Sequence, residues 1–176
     1  AAQGFDVIAV EPNNAMRELG KSRTSHLHNV RWYEGTAEQT EQLEASFDWV
    51  TFGSSFNVVN RSLALKETAR ILKPKGWFTC LWNHRHLDNP IQAKIESIIQ
   101  SYLPEYTYGS RREDQTEVIN RSQLFGLVHT LEGNIVHQQS LEDCITAWQS
   151  HGTLHRQANE DFEAIITQIK NYLTGL

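Results

Sequence analysis

The chain has 176 residues, 39% hydrophobic and 21% charged, with a formal net charge of −5. That is enough chain for one domain with a real core, and the composition is that of a soluble globular protein. The acidic balance, with a pI near 5.9, argues against a nucleic-acid partner, and no apolar run approaches the ~20 residues of a membrane span. Cys80 and Cys144 lie far apart with no CxxC, and no charged-then-apolar leader is visible, so a reducing, cytoplasmic setting is expected.

Residues 4–12 are predicted as a strand, 13–19 as a short helix, and 29–34 as a second strand. Residues 35–46 read as a loop with one helical turn. The most informative stretch follows, FDWVTFGSSFNVVNRSLALKETARILKPKGWFTCLWN over Phe47–Asn83. It reads as a strand over 47–53, a helix over 58–72, a Lys-Pro-Lys-Gly turn and a strand over 76–82. A strand–helix–strand unit of this length is a parallel crossover, and parallel sheets take ligands at the carboxyl ends of their strands.

Asn89-Pro90 opens a helix through about Tyr102, with Ile91, Ile95, Ile98, Ile99 and Tyr102 at helical spacing. Pro104–Glu117 is polar and irregular, and long for a compact domain. Alternating stretches in Leu124–Gln139, parted by Glu132-Gly133-Asn134, suggest a hairpin or a bulged strand. Ser140 caps a helix through about Ser150, and Asn159–Leu173 forms a last amphipathic helix.

Phe47-Asp48-Trp49-Val50 and Arg70-Ile71-Leu72-Lys73-Pro74-Lys75-Gly76, with the strand after them, resemble the middle of a class I S-adenosylmethionine (SAM)-dependent methyltransferase of the type 11 kind. VIAVEP at Val7–Pro12 looks like that family's second strand, and VRWYEGTAE at Val30–Glu38 like its third. The resemblance implies a Rossmann-like three-layer α/β sandwich with a mostly parallel sheet. It further implies SAM as cofactor and methyl transfer to a small-molecule acceptor. A single domain is expected, with residues 4–84 as cofactor-binding core and 85–176 as a region carrying a substrate-side lid.

No GxGxG occurs anywhere in the 176 residues. The family's glycine-rich strand would lie at the centre of the sheet, so an incomplete copy of the domain is expected, clipped at the start, with a clipped far end as a second expectation. Two strand edges would then stand open, which makes a homo-oligomer through those edges an expectation. A non-catalytic relative that works by assembly is the alternative. An oxidoreductase fragment using NAD is a third class, since an acid ending a strand also suits NAD.

The resemblance places the cofactor on Glu11, Pro12, Met16, Ala37, Glu38, Gly53 and Ser54. Glu11 ends its strand, and a carboxylate there matches the vicinal diol of a ribose; the plain alternative is an acid at a helix N-terminus. Met16 packs on adenine or in an ordinary core. Glu38 accepts from the adenine amino group while the Ala37 N–H donates to the ring, or else Glu38 closes a capping box begun by Thr36. After the next strand, Gly53 and Ser54 allow close backbone approach, and Phe56 and Asn57 stand where relatives carry an aromatic or a histidine facing the sulfonium.

Asn83-His84-Arg85-His86 follows the last strand of the unit. His84 is a candidate base, and Arg85 an anchor for an acidic substrate together with Asn83, Arg111 and Arg112; a solvated polar loop is the plain reading. Trp148–His151 and His155–Gln157 read as surface clusters. Of eight histidines only His151 and His155 have ligand spacing, interrupted by Gly152, so no metal is expected.

Overall fold

The computed structural model describes residues 1–176, with the side chain of Arg111 outside the described residues. The chain divides into two compact units. Ala1–Trp82 with Glu113–His129 forms the first, and Asn83–Arg112 with Thr130–Leu176 the second.

The first unit is α/β. Strand β1 (Val7–Val10) leads into helix α1 (Asn14–Arg23) and strand β2 (Val30–Tyr33), and the two strands pair in parallel, Val7 opposite Val30 through Val10 opposite Tyr33. Strand β3 (Phe47–Gly53), helix α2 (Arg61–Ile71) and strand β4 (Leu72–Leu81) form a second parallel pair. Each pair is the βαβ crossover expected from the alternation of apolar runs with helical ones. Among the described residues no ladder joins the two pairs. Phe5 and Trp49 meet edge to face, with ring centres 6.3 Å apart.

The Lys-Pro-Lys-Gly segment is a bulge inside β4 rather than a turn before it. Phe47 faces Leu72 and Trp49 faces Trp77, so residues 73–76 lie opposite Asp48 alone. Lys75 takes a left-handed φ of 66°. A Cβ on Gly76 would stand 2.9 Å from Leu72 Cδ2 and 3.0 Å from the Lys73 carbonyl, so this close approach requires glycine.

Helix α2 begins where Asn60 accepts the N–H of Leu63, three residues later than predicted, after a 3₁₀ turn over Phe56–Val58. Its buried face, Ala64 and Leu65, packs with Phe52, Phe56 and Ile119. Ile119 comes from helix α4 (Thr116–Ser122), of which only Thr116 and Glu117 fall in the stretch that reads as irregular; seven residues hold too few apolar positions to show a period. Residues 35–46 contain no helical turn; bends and side-chain bonds shape that loop.

The second unit is helical. Helices α3 (Pro90–Tyr102), α5 (Leu141–Gln149), α6 (Gly152–Ala158) and α7 (Phe162–Thr174) enclose Ile95, Ile99, Trp148, Leu154, Phe162, Ile165 and Ile169. Ser140 caps α5 as the sequence predicts, accepting the Asp143 N–H, and Asn89, at the predicted start of α3, caps it by accepting the Ile91 and Gln92 N–H groups. Helix α6 was not foreseen. His151 caps it, its Nδ1 accepting the Leu154 N–H at 3.2 Å, which places Gly152 at the first helical position.

The predicted hairpin over Leu124–Gln139 does not form: these residues carry no ladder, and Leu131 and Val136 are 93% and 90% exposed. Alternation specifies a strand only where a neighbouring edge accepts it.

Candidate functional site

β1 ends in Val10, and its ladder runs one residue further as the Glu11 N–H donates to the Tyr33 carbonyl at 3.1 Å. Pro12 stops the strand. Asn13 then caps α1 by accepting the Met16 N–H at 3.0 Å, while Glu11 Oε1 accepts the Asn13 N–H at 2.9 Å. The Glu11 carboxylate is therefore held at the mouth of the α1 N-terminus. Each of its oxygens has two lone pairs, so capacity for further donors remains.

β2 leaves its pair at Tyr33, next to β1. Gly35 follows, and a Cβ there would stand 2.9 Å from Val10 Cγ1 and 3.2 Å from the Gln39 carbonyl. Only glycine lets this loop fold so closely over the end of β1. Thr36 and Gln39 close the turn through reciprocal backbone bonds of 3.0 and 3.2 Å. A shallow depression of about 310 Å³ results, lined by Pro12, Glu34, Gly35, Thr36, Gln39 and Glu41. It lies at the carboxyl ends of two parallel strands, where such sheets take ligands.

Met16 is 58% exposed, so it is not a core methionine; its side chain stands on the first turns of α1. Ala37 packs its methyl against the aromatic cluster of the first unit, and its N–H donates to no described residue. Glu38 accepts the Asn60 N–H at 2.7 Å, and chiefly for that reason its carboxyl is held below the usual range. It thus ties the 35–39 loop to the cap of α2. The capping box at Thr36 is not formed as read: Thr36 Oγ1 accepts from Gln39 at 3.2 Å, and no helix follows.

At the end of β3, Gly53 is open on its Cβ side, and Ser54 takes a left-handed φ of 52° with its N–H on the Leu81 carbonyl at 2.8 Å. Phe56 does not face a ligand position. It is fully buried, edge to face with Phe52 at 5.4 Å and with Phe78 at 5.5 Å. Asn57 accepts the Trp82 indole N–H at 3.0 Å.

The substrate-side candidates fall in the second unit. Asn83 and His84 are exposed. The Arg85 guanidinium lies 3.9 Å from the centre of the Trp148 ring, which stacks in turn on His151 at 5.3 Å. Arg112 Nη2 donates to the Arg85 carbonyl at 3.0 Å, and its guanidinium lies 4.4 Å from the Tyr108 ring centre. The Tyr108 hydroxyl bonds Glu96, and burial first, then that bond, pushes its pKa upward. Two arginines and three aromatic rings are thereby brought together. Trp148, read as a surface residue, is only 2% exposed. Arg111, the other proposed anchor, has its side chain outside the described residues.

Arg17 was not singled out in the sequence. It is the one buried residue of α1, and it binds the carbonyls of Glu11 and Pro12 and the side chains of Asn14 and Glu34. The only sequence clue is an arginine one turn into a helix that starts between two strand-end acids.

A family model described as a methyltransferase domain matches residues 1–80. Over these residues the chain is similar to that family. The demethylmenaquinone methyltransferase of Staphylococcus haemolyticus (strain JCSC1435) is 38% identical over 77 residues, 43% of this chain and 32% of that protein. The matched stretch spans about a third of the curated relatives' length. A candidate type II methyltransferase from Anaeromyxobacter dehalogenans superposes with a TM-score of 0.56 at 17% identity, covering 98% of this chain and 74% of that one. The MccD protein superposes at 0.54 and 14% identity, covering 95% and 72%. At such identities the likeness is one of fold.

The resemblance implies SAM as cofactor, a cation carrying a ribose diol and an adenine. The residues of the matched segment fit its adenosyl part on chemical grounds. Glu11 offers a carboxylate to a diol, Ala37 an uncommitted N–H and Met16 an exposed apolar surface, while Glu41 adds a carboxylate to the depression, whose other acid, Glu34, is paired with Arg17.

Proposed function

We propose that this chain carries the adenosyl-binding part of a SAM-dependent methyltransferase that acts on a small-molecule acceptor. One observation carries this reading: the segment that matches the family ends its first strand in Glu11, beside an acidic depression at the carboxyl ends of β1 and β2. When bound, the cofactor supplies a methyl group on a sulfonium, open to in-line displacement by an acceptor.

The residues of the first unit bind and orient. Glu11 accepts the ribose hydroxyls, Pro12 shapes the floor, Met16 covers one face of the adenine, and the Ala37 N–H donates to its ring. Glu38 acts through the loop it fixes. Gly53 and Ser54 present backbone at the end of β3. By the resemblance, Arg85 and Arg112 with Asn83 are the candidate anchors for an acidic group of an acceptor, and His84 the candidate base where an acceptor must lose a proton.

The similarity to a demethylmenaquinone methyltransferase suggests an aromatic or quinone-like acceptor. We infer a cytoplasmic location from the free thiols of Cys80 and Cys144, since a reducing compartment suits them. Among the described residues no helix is long and apolar enough to cross a membrane.

Thermal unfolding of the intact protein tests the function. S-adenosylhomocysteine is expected to raise the midpoint in a concentration-dependent way, and NAD to leave it unchanged. The reverse order would replace the methyltransferase by an oxidoreductase.

A further inference from the structure

We propose that Arg17 is a positioning residue for cofactor binding: it fixes the strand end from which the Glu11 carboxylate departs, and so sets how strongly the site reads the ribose hydroxyls. The proposal rests on the reading of Glu11 as the acceptor of those hydroxyls.

Arg17 is 7% exposed and is the only residue of α1 that is buried. A leucine would serve a purely apolar contact, and burying a charge costs free energy unless hydrogen bonds replace its water. Here they do. Nη1 donates to the Glu11 carbonyl at 2.8 Å and lies 3.5 Å from the Pro12 carbonyl. Nη2 donates to Asn14 Oδ1 at 2.9 Å and to Glu34 Oε2 at 3.1 Å. The guanidinium thus spans the two walls of the depression, with Pro12 on one side and Glu34 on the other.

The Glu11 N–H makes the last bond of the ladder, so the Glu11 and Pro12 carbonyls lie beyond it, where no ladder bond orients them. A planar fork with several donors fixes two peptide groups and a carboxylate at once, which the single ammonium of lysine cannot do. The Glu34 side chain is 76% exposed, so its charge is partly screened, and the backbone acceptors carry the geometry. Without the fork, the 11–12 peptide is free to turn. The Glu11 carboxylate then loses its set direction although its own bond to Asn13 survives.

The test is a calorimetric titration of the intact protein with S-adenosylhomocysteine and with its 2′-deoxy analogue. It uses the unmodified protein, Arg17→Lys and Arg17→Met, each checked for folding by circular dichroism. The unmodified protein is expected to prefer the ligand with the 2′-hydroxyl by about tenfold or more, as a charge-assisted hydrogen bond would give. In Arg17→Lys, the variant that keeps the charge and most of the volume, that preference should shrink to about twofold. Arg17→Met, where it folds, should do the same.

If both ligands bind the variants more weakly but the preference stays at the unmodified level, Arg17 is merely structural and the proposal fails alone. If the unmodified protein itself shows no preference, the ribose role of Glu11 fails, and the proposal with it.

Discussion

The carboxylate of Glu38 accepts the backbone N–H of Asn60 at 2.7 Å, fastening the loop after β2 to the residue that caps α2. That bond joins the two βαβ pairs of the first unit through one side chain. Glu38→Ala should therefore destabilise the protein by about 1 kcal/mol, the value of a partly exposed hydrogen bond to a charged group. The depressed carboxyl sets the sign of the pH dependence. Its stabilisation is present above the ordinary carboxylate range and is lost as pH falls through the lower, folded value. Urea unfolding of both proteins at pH 7 and pH 3 checks this: the difference between them should narrow at pH 3.

Glu67 offers a stronger case of the same kind. Its carboxylate takes a two-pronged contact from Arg70 and also accepts the hydroxyl and N–H of Thr40. The Arg70 bonds, then those of Thr40, draw its pKa down to about 2. The contribution is complete above about pH 4.5 and is lost between there and about pH 2. Arg70 is 39% exposed on its side chain, so solvent screening leaves roughly 1–2 kcal/mol at neutral pH. Glu67→Gln should lose that amount at pH 7 and nearly match the unmodified protein at pH 2.5. An equal difference at both pH values would contradict it.

The chain order and type of the main elements could be read before the structure, because in each crossover a short apolar run leads into a helix, and α2 has no glycine or proline inside it. The start of α3 at Asn89-Pro90 and the cap at Ser140 were equally legible, since a short polar side chain before an apolar period has one common use. Two things could not be read. Helices α4 and α6 are each seven residues long, less than two full turns, so periodicity had nothing to count. The segment 124–139 has the alternation of a strand, but its pairing depends on a neighbour that sequence does not specify. In the site, Glu11 was legible because it ends a strand. Arg17 was not, because its importance lies in two carbonyl groups, which every residue has. Phe56 was placed near the ligand by analogy and went to the core, because three phenylalanines met there.

Trp148 supports the helical unit as a buried ring with Arg85 stacked on it at 3.9 Å. Trp148→Ala should cost about 3–5 kcal/mol, the usual loss for a large buried aromatic. Arg85→Ala should cost only about 0.5–1 kcal/mol, the value of a partly exposed cation–π contact. Chemical denaturation of the two variants separates them, and a larger loss for Arg85→Ala would reverse the assignment of which partner holds the other.

β1 is apolar at all four positions, yet none of Val7, Ile8, Ala9 and Val10 is buried, and among the described residues it pairs on one side only. Phe5, Trp49 and Trp77 are also more than half exposed. An apolar strand with an unladdered edge recruits other strands. The 176-residue chain is therefore expected to self-associate in light scattering at micromolar concentration, and Ile8→Lys to shift it toward the monomer. A monodisperse monomer of the unmodified chain would show that the edge is inert.

The cofactor role of Glu11 is tested most directly by calorimetric titration of the intact protein with SAM, alongside Glu11→Ala. The unmodified protein should bind at one site, and the variant should bind more weakly by roughly 1–3 kcal/mol, with its unfolding midpoint little changed, since only the Asn13 contact is lost from the fold. Equal affinity in the two proteins would remove Glu11 from the site, and no binding to either would contradict the proposed function itself.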